Sequence, residues 1–196
     1  MPNKNIIFVG VGGQGVVLAS NVLAQVCLNA EQDIKKAEVH GMSQRGGSVS
    51  SHLRFGEKVF SPLIPLGEAD IVVSFEWMES LRYLEFLKPG GILVVSTQKI
   101  VPVSVTFGMG DYPDDVEEKV RERGFKLISL DALGIAQSLG NAKVVSTVML
   151  GALSNHLKLT EKQWLEAIAQ SVPPKSLEMN EKAFEAGRKC LEAIAR

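Results

Sequence analysis

The sequence predicts an α/β chain in three layers, α/β/α, around a mostly parallel sheet. Three observations carry that prediction. A short apolar run, Ile6 to Val9, turns on Gly10-Val11-Gly12-Gly13-Gln14-Gly15 into a helix-periodic segment that begins at Val16. Short apolar runs and helical patterns then alternate as far as residue 140, which is the signature of strand-helix-strand units. Three helical segments follow, so the carboxyl-terminal portion reads as helical. No internal repeat or low-complexity linker divides the 196 residues, and we read 1–196 as a single domain.

Taken in order, Asn5 to Val9 is a buried strand, and Val16 to Leu28 a helix with Val17, Leu18, Val22 and Val26 on or near one face. Ile34 to Val39 is a second strand, made polar on one side by Lys35, Lys36 and Glu38. Ser48 to Phe55 alternates, and the turn Phe55-Gly56-Glu57-Lys58 leads to Val59 and Phe60, which predicts a small hairpin there. Pro62 and Pro65 close that unit. Ile71 to Phe75 has the unbroken apolar character of a central parallel strand. Glu76 to Leu87 reads as a helix stopped by Lys88-Pro89-Gly90-Gly91, and Ile92 to Val95 as the next strand.

Val101 to Phe107 reads as a further strand, placed at an edge by Pro102. Asp114 with Glu117 has capping-box spacing and opens a charged helix that ends at Gly124. Phe125 to Leu130 is a strand, and Asp131 caps a helix to Leu139. Val144 to Leu157 is apolar nearly throughout and reads as a buried helix. Thr160 with Gln163 is another capping box, opening a helix through Ser171 that Pro173-Pro174 ends. The last helix, from Ser176, carries Phe184, Gly187, Leu191 and Ile194 on one stripe.

Composition excludes several classes of function. Lys plus Arg number 21 against 22 for Asp plus Glu, so no global field recruits nucleic acid or an acidic membrane face. The longest apolar stretch, Val144 to Leu153, falls short of the roughly 20 residues that cross a bilayer. Lys4 before Ile6 to Val9 is a poor leader, because glycines interrupt the apolar run at once. A cytoplasmic protein is the expectation. Cys27 and Cys190 are the only cysteines, too few for a disulfide framework or for a four-thiolate zinc or iron–sulfur site on this chain alone. Both fall at apolar positions of helices and read as core cysteines.

Two loops carry the chemistry. The first, Gly10 to Gly15, matches G-x-G-x-x-G in a strand-turn-helix context. Such a turn leaves backbone N–H groups at the positive end of a helix, where phosphates and carboxylates are favoured. The second, His40-Gly41-Met42-Ser43-Gln44-Arg45-Gly46-Gly47-Ser48, follows the next strand. Gly46 and Gly47 permit close backbone approach, Arg45 offers a planar fork for phosphate or carboxylate, and Ser43 and Ser48 add donors. In a parallel sheet both loops reach the carboxyl edge side by side. Candidate binding residues are therefore Gly12, Gly13, Gln14, Gly15, Ser43, Arg45, Gly46 and Gly47. No catalytic residue and no metal ligand is assigned.

Two other readings compete. A free-standing Rossmann-fold enzyme binding a dinucleotide would use the first loop, with Glu38 near the spacing of a ribose-binding acid. The string Leu87 to Val95 looks like the late strand of an enzyme that uses S-adenosylmethionine, but Ile7 and Phe8 stand where that class carries an acid. A nucleotide- or coenzyme A-binding regulatory module is the third.

The residues also resemble a known family. Val9 to Gly15, then Glu38 to Val49, then Val59-Phe60-Ser61-Pro62-Leu63-Ile64-Pro65 are similar to the gamma-type subunits of 2-oxoacid:ferredoxin oxidoreductases. Within that family the resemblance is greatest to the small (beta) subunits of the indolepyruvate branch. Leu81-Arg82-Tyr83-Leu84, Thr97-Gln98-Lys99-Ile100 and Val172-Pro173-Pro174-Lys175 extend it over nearly the whole chain.

The resemblance implies a Rossmann-like fold and a part in oxidative decarboxylation. There an arylpyruvate, coenzyme A and oxidised ferredoxin give an arylacetyl-CoA, carbon dioxide and reduced ferredoxin. It implies that thiamine diphosphate and the iron–sulfur clusters sit on a larger partner subunit, that this chain binds no cofactor alone, and that coenzyme A enters as co-substrate. Gly110-Asp111-Tyr112 without any Asn-Asn pair agrees with the missing thiamine motif. The isolated chain, deprived of its partner, is expected to self-associate as a homodimer.

Overall fold

The computed structural model describes residues 3–40, 47–108, 110–113 and 115–194. The strands are β1 (Lys4–Val11), β2 (Asp33–His40), β3 (Ser48–Gly56), β4 (Ala69–Ser74), β5 (Leu87–Ser96) and β6 (Lys126–Leu130). They form one sheet in the order β2-β3-β1-β4-β5-β6. Strands β1, β4, β5 and β6 run parallel, whereas β3 is antiparallel to both β1 and β2.

Helices cover both faces. Helix α1 (Val16–Asn29) lies with α5 (Ala132–Ser138), α6 (Val145–Ser154), α7 (Glu161–Ser171) and α8 (Leu177–Ile194) on one side. On the other are α2 (Trp77–Arg82) and α4 (Val116–Glu122). Alternation along β1 divides the core accordingly. Ile6 and Phe8 join the α1/α6 cluster, while Ile7 and Val9 join the α2/α4 cluster, all four fully buried.

Several expectations need correction. The hairpin is not built from Ser48–Phe55 and Val59–Phe60: β3 pairs with β2 and β1, and 57–68 is irregular. A nine-residue alternating strand finds better partners in two long strands than in two residues. The irregular stretch is fixed by side chains instead. Asp33 accepts the Val59 N–H at 2.8 Å, Arg54 donates to the Leu63 carbonyl at 3.1 Å, and the His52 Nδ1 accepts the Ile64 N–H at 3.2 Å.

Helix α2 ends at Arg82 and a 3-10 turn, Leu84–Phe86, leads into β5, so Leu87 to Gly91 belong to the strand. Val101 to Phe107 is no strand. It contains a short helix, α3 (Val103–Thr106), with Thr106 N–H bonded to the Pro102 carbonyl at 3.1 Å. Asp115 rather than the Asp114 pair precedes α4, and Asp114 lies outside the described residues. Cys190 is only half-buried, unlike Cys27. Asp131 and the Thr160/Gln163 capping box take their expected places.

The acceptor role of His52 makes the 57–66 segment pH-sensitive. Burial pushes its imidazole below the usual histidine value of 6.5. The unfolded chain therefore binds the proton more readily, and the stability this site contributes is present above 6.5 and lost as pH falls towards the depressed native value. His52→Asn keeps a neutral acceptor near the Ile64 N–H without titrating there. Between pH 7 and 5 the melting temperature of the wild type should therefore drop further than that of the variant. Parallel curves would exclude His52 as the group responsible.

Candidate functional site at the carboxyl edge

The chain leaves β1 through the glycine turn and enters α1. Gly15, at the N-cap, has φ +83° and ψ 21°, a left-handed conformation. A Cβ there would stand 2.9 Å from the Ser146 Cβ, so α1 and α6 meet across a residue that must be glycine twice over. No side chain caps α1 and no acid lies in its first turn. The first N–H groups of a 14-residue helix are thus left for an outside acceptor.

The described end of the second loop, Gly47 and Ser48, meets the glycine turn by a route the sequence did not indicate. Strands β1 and β2 are not neighbours; β3 lies between them. Because β3 is antiparallel, its first residues stand beside the glycine turn, and the Gly12 N–H donates to the Gly47 carbonyl at 2.9 Å. Gly12, Gly13, Gln14, Gly15 and Gly47 therefore share one edge. Ser43, Arg45 and Gly46 lie outside the described residues.

Gln14 is engaged within the chain. Its Oε1 accepts the Val11 N–H at 2.7 Å, and its Nε2 donates to the Phe75 carbonyl at 2.8 Å and to Gln98 Oε1 at 3.1 Å. One amide thus braces the ends of β1, β4 and β5. What Gln14 offers the edge is a rigid turn.

A carboxylate network that sequence reasoning missed stiffens the neighbouring segments. Glu76, fully buried at the N-cap of α2, accepts the Glu79 N–H at 2.8 Å, the Ile100 N–H at 2.9 Å and the Tyr112 hydroxyl at 2.5 Å. Glu79 accepts the Ser48 hydroxyl at 2.6 Å and pairs with Arg82 at 3.3 Å. The second loop is therefore clamped to α2 at its Ser48 end. The available signal was an apolar strand ending in Ser74-Phe75-Glu76 with a second acid three residues on.

This edge offers backbone N–H groups to an anion or a partner. Among the described residues no cluster of three His, Cys, Asp or Glu could hold a metal ion. Burial pushes the Cys27 thiol up to about 12.

Comparison with known proteins shows the family of the chain. The pyruvate ferredoxin/flavodoxin oxidoreductase family matches residues 5–190. The chain belongs to that family. It is 43% identical to indolepyruvate oxidoreductase subunit IorB of Thermococcus kodakarensis over 99% of this chain and 98% of that one. It is 40% identical to the subunit of the same name from Pyrococcus horikoshii, over 99% and 98%. A crystal structure of a keto/oxoacid ferredoxin oxidoreductase gamma subunit from Geobacter sulfurreducens shares the fold. Its TM-score is 0.72 at 22% identity, covering 97% of this chain and 99% of that one. The gamma-type oxidoreductase-subunit reading stands, and the free-standing Rossmann enzyme gains no support. No helix among the described residues is long and apolar enough to cross a membrane.

Proposed function

We propose that the chain, 1–196 as one gamma-type domain, is the small subunit of a cytoplasmic indolepyruvate-type 2-oxoacid:ferredoxin oxidoreductase. The observation that carries this reading is the 43% identity, end to end, with an indolepyruvate oxidoreductase subunit. Oxidative decarboxylation of an arylpyruvate to an acyl-CoA takes place on a larger partner, which bears thiamine diphosphate and iron–sulfur clusters and passes electrons to ferredoxin. Two cysteines in the sequence support that division, because one [4Fe–4S] cluster takes four thiolates. This chain's residues do not fit those groups, and no step on them is assigned to it.

The role of this chain is to close the partner's site with its carboxyl edge. Gly12, Gly13, Gln14 and Gly15 contribute a braced backbone with unused N–H groups, and Gly47 joins the turn to the second loop. Ser43, Arg45 and Gly46 complete that rim, with Arg45 meeting coenzyme A phosphates or the partner's surface. Phe107 is 74% exposed and Phe60 84%, as befits a surface awaiting a larger subunit. Light scattering on the isolated chain should show dimers; a monomer at every concentration would remove the expected self-association.

The deciding experiment is co-expression with the larger subunit, followed by indolepyruvate- and CoA-dependent viologen reduction. Activity should fall by at least about tenfold when this chain is omitted. Undiminished turnover without it would overturn the proposal. In the complex, Arg45→Ala should raise the KM for coenzyme A or weaken assembly; no change in either would remove that role from Arg45.

A further inference from the structure

At the end of the sheet opposite β6, the outer edge of β2 is bare: no strand among the described residues pairs with it. The strand is eight residues long and keeps unbroken register with β3, from Asp33 opposite Gly56 to His40 opposite Val49. It holds no proline, no glycine and no bulge. Such an edge presents a row of unpaired backbone N–H and C=O groups, a template for another strand.

Lysines usually guard an edge of this kind. Here each is matched by an acid two positions away on the same strand: Lys35 pairs with Asp33 at 2.6 Å and Lys36 with Glu38 at 2.5 Å. The two pairs take opposite faces of the sheet. Lys36 and Glu38 share the α1 face, where Lys36 also donates to Asn21 Oδ1. Lys35, Ala37 and Val39 share the other face, and Val39 is 55% exposed.

This pattern is complementary to itself. In an antiparallel pair, opposed residues point to the same face, so a two-fold axis normal to the sheet passes beside one residue and its own mate. Among the registers that pair at least half of the strand, an axis at Lys35 or Lys36 sets lysine against lysine, and one at Glu38 sets carboxylate against carboxylate. An axis at Ala37 pairs Ile34 through His40 of both copies. It places Lys36 opposite Glu38 of the second copy and Glu38 opposite its Lys36, with the smallest side chain of the strand at the centre.

We infer that the outer edge of β2 is the contact between two copies of this chain. The two β2 strands pair antiparallel about an axis at Ala37 and continue the sheet across the dimer. Backbone hydrogen bonds supply the attachment, and the two Lys36–Glu38 pairs fix the register. The inference rests on the self-association expected of the isolated chain and adds the surface it uses.

The full-length chain is followed by sedimentation over a concentration series, and the wild type should dimerise. Lys36→Glu and Glu38→Lys, each alone, should raise the dimer Kd by at least about tenfold. An equimolar mixture of the two should restore a dimer with one of each, because acids then face lysines. Geometry is read separately, in a Cys190→Ser background. Ala37→Cys should form an intermolecular disulfide on oxidation, since directly opposed strand residues lie within bridging distance. Val39→Cys should not, because its mate stands roughly 14 Å away. A wild type that stays monomeric removes self-association and this edge together. Dimers that both charge variants leave intact, a mixture that stays monomeric, or a bridge at 39 rather than 37 overturns the edge and leaves self-association standing. Should circular dichroism show a charge variant unfolded, the two cysteine variants decide, because neither alters a charged residue.

Discussion

Gly187→Ala is expected to cost about 3 kcal/mol of stability, near the top of the usual overpacking range. An exposed helical glycine changed to alanine would gain about 1 kcal/mol from propensity, so the sign itself is diagnostic. The reason lies in how α6 and α8 cross. A Cβ on Gly187 would stand 2.0 Å from the Val148 carbonyl oxygen, and one on Gly151 would stand 2.1 Å from that of Phe184. Each helix presses its backbone into the other's glycine, and backbone cannot rotate away as a side chain can. Urea denaturation measures the loss. A second substitution, Gly151→Ala, should add less than its own single cost, since the first has already pushed the helices apart. Unchanged or raised stability in Gly187→Ala would mean that the helices do not cross this closely.

Glu76→Ala is the second large effect, expected to remove about 3 kcal/mol and most of the activity of the assembled complex. The fully buried carboxylate satisfies three donors, the N–H groups of Glu79 and Ile100 and the Tyr112 hydroxyl. Alanine leaves all three without that acceptor. The segments they belong to are α2, which holds Ser48 through Glu79, and the chain after β5, which holds Gln98 against Gln14. Loosening both blurs the edge that meets the partner. Glu76→Gln should recover part of the stability, because one acceptor oxygen remains while the amide nitrogen faces a donor. Denaturation of the chain and viologen reduction by the complex give the two readouts. An alanine variant within 0.5 kcal/mol of wild type would show that the network is dispensable.

Much of the fold was legible because its signals are local. Ile6 to Val9, Ile71 to Val73 and Leu93 to Val95 are buried on both faces, and the chain declares that by being apolar without a break. Caps were equally plain: Asp131 and Thr160 satisfy helix N–H groups three residues away, so their partners are adjacent in sequence. The glycine turn was found for the same reason, since a left-handed N-cap and a close neighbour leave glycine as the residue that fits.

What failed to show were choices among distant partners. Ser48 to Phe55 alternates correctly, but alternation says which face a residue takes, not which strand lies alongside. The insertion of β3 between β1 and β2 placed Gly47 beside Gly12, and neither loop's residues specify that pairing. Gln14 is a candidate by its place in the glycine turn, and that its side chain is engaged by Phe75 and Gln98, 61 and 84 residues further along, is not written locally. Val101 to Phe107 is apolar enough for a strand, yet the sheet ends at β6 and the segment coils instead.

By itself the sequence determined most of the strand and helix succession, the two glycine loops and the family that carries them, because each is written in contiguous residues. The tertiary structure alone decided the sheet order and the bracing by Gln14 and Glu76. Those depend on hydrogen bonds and steric fits between residues many tens of positions apart, whose geometry exists only once the chain has closed.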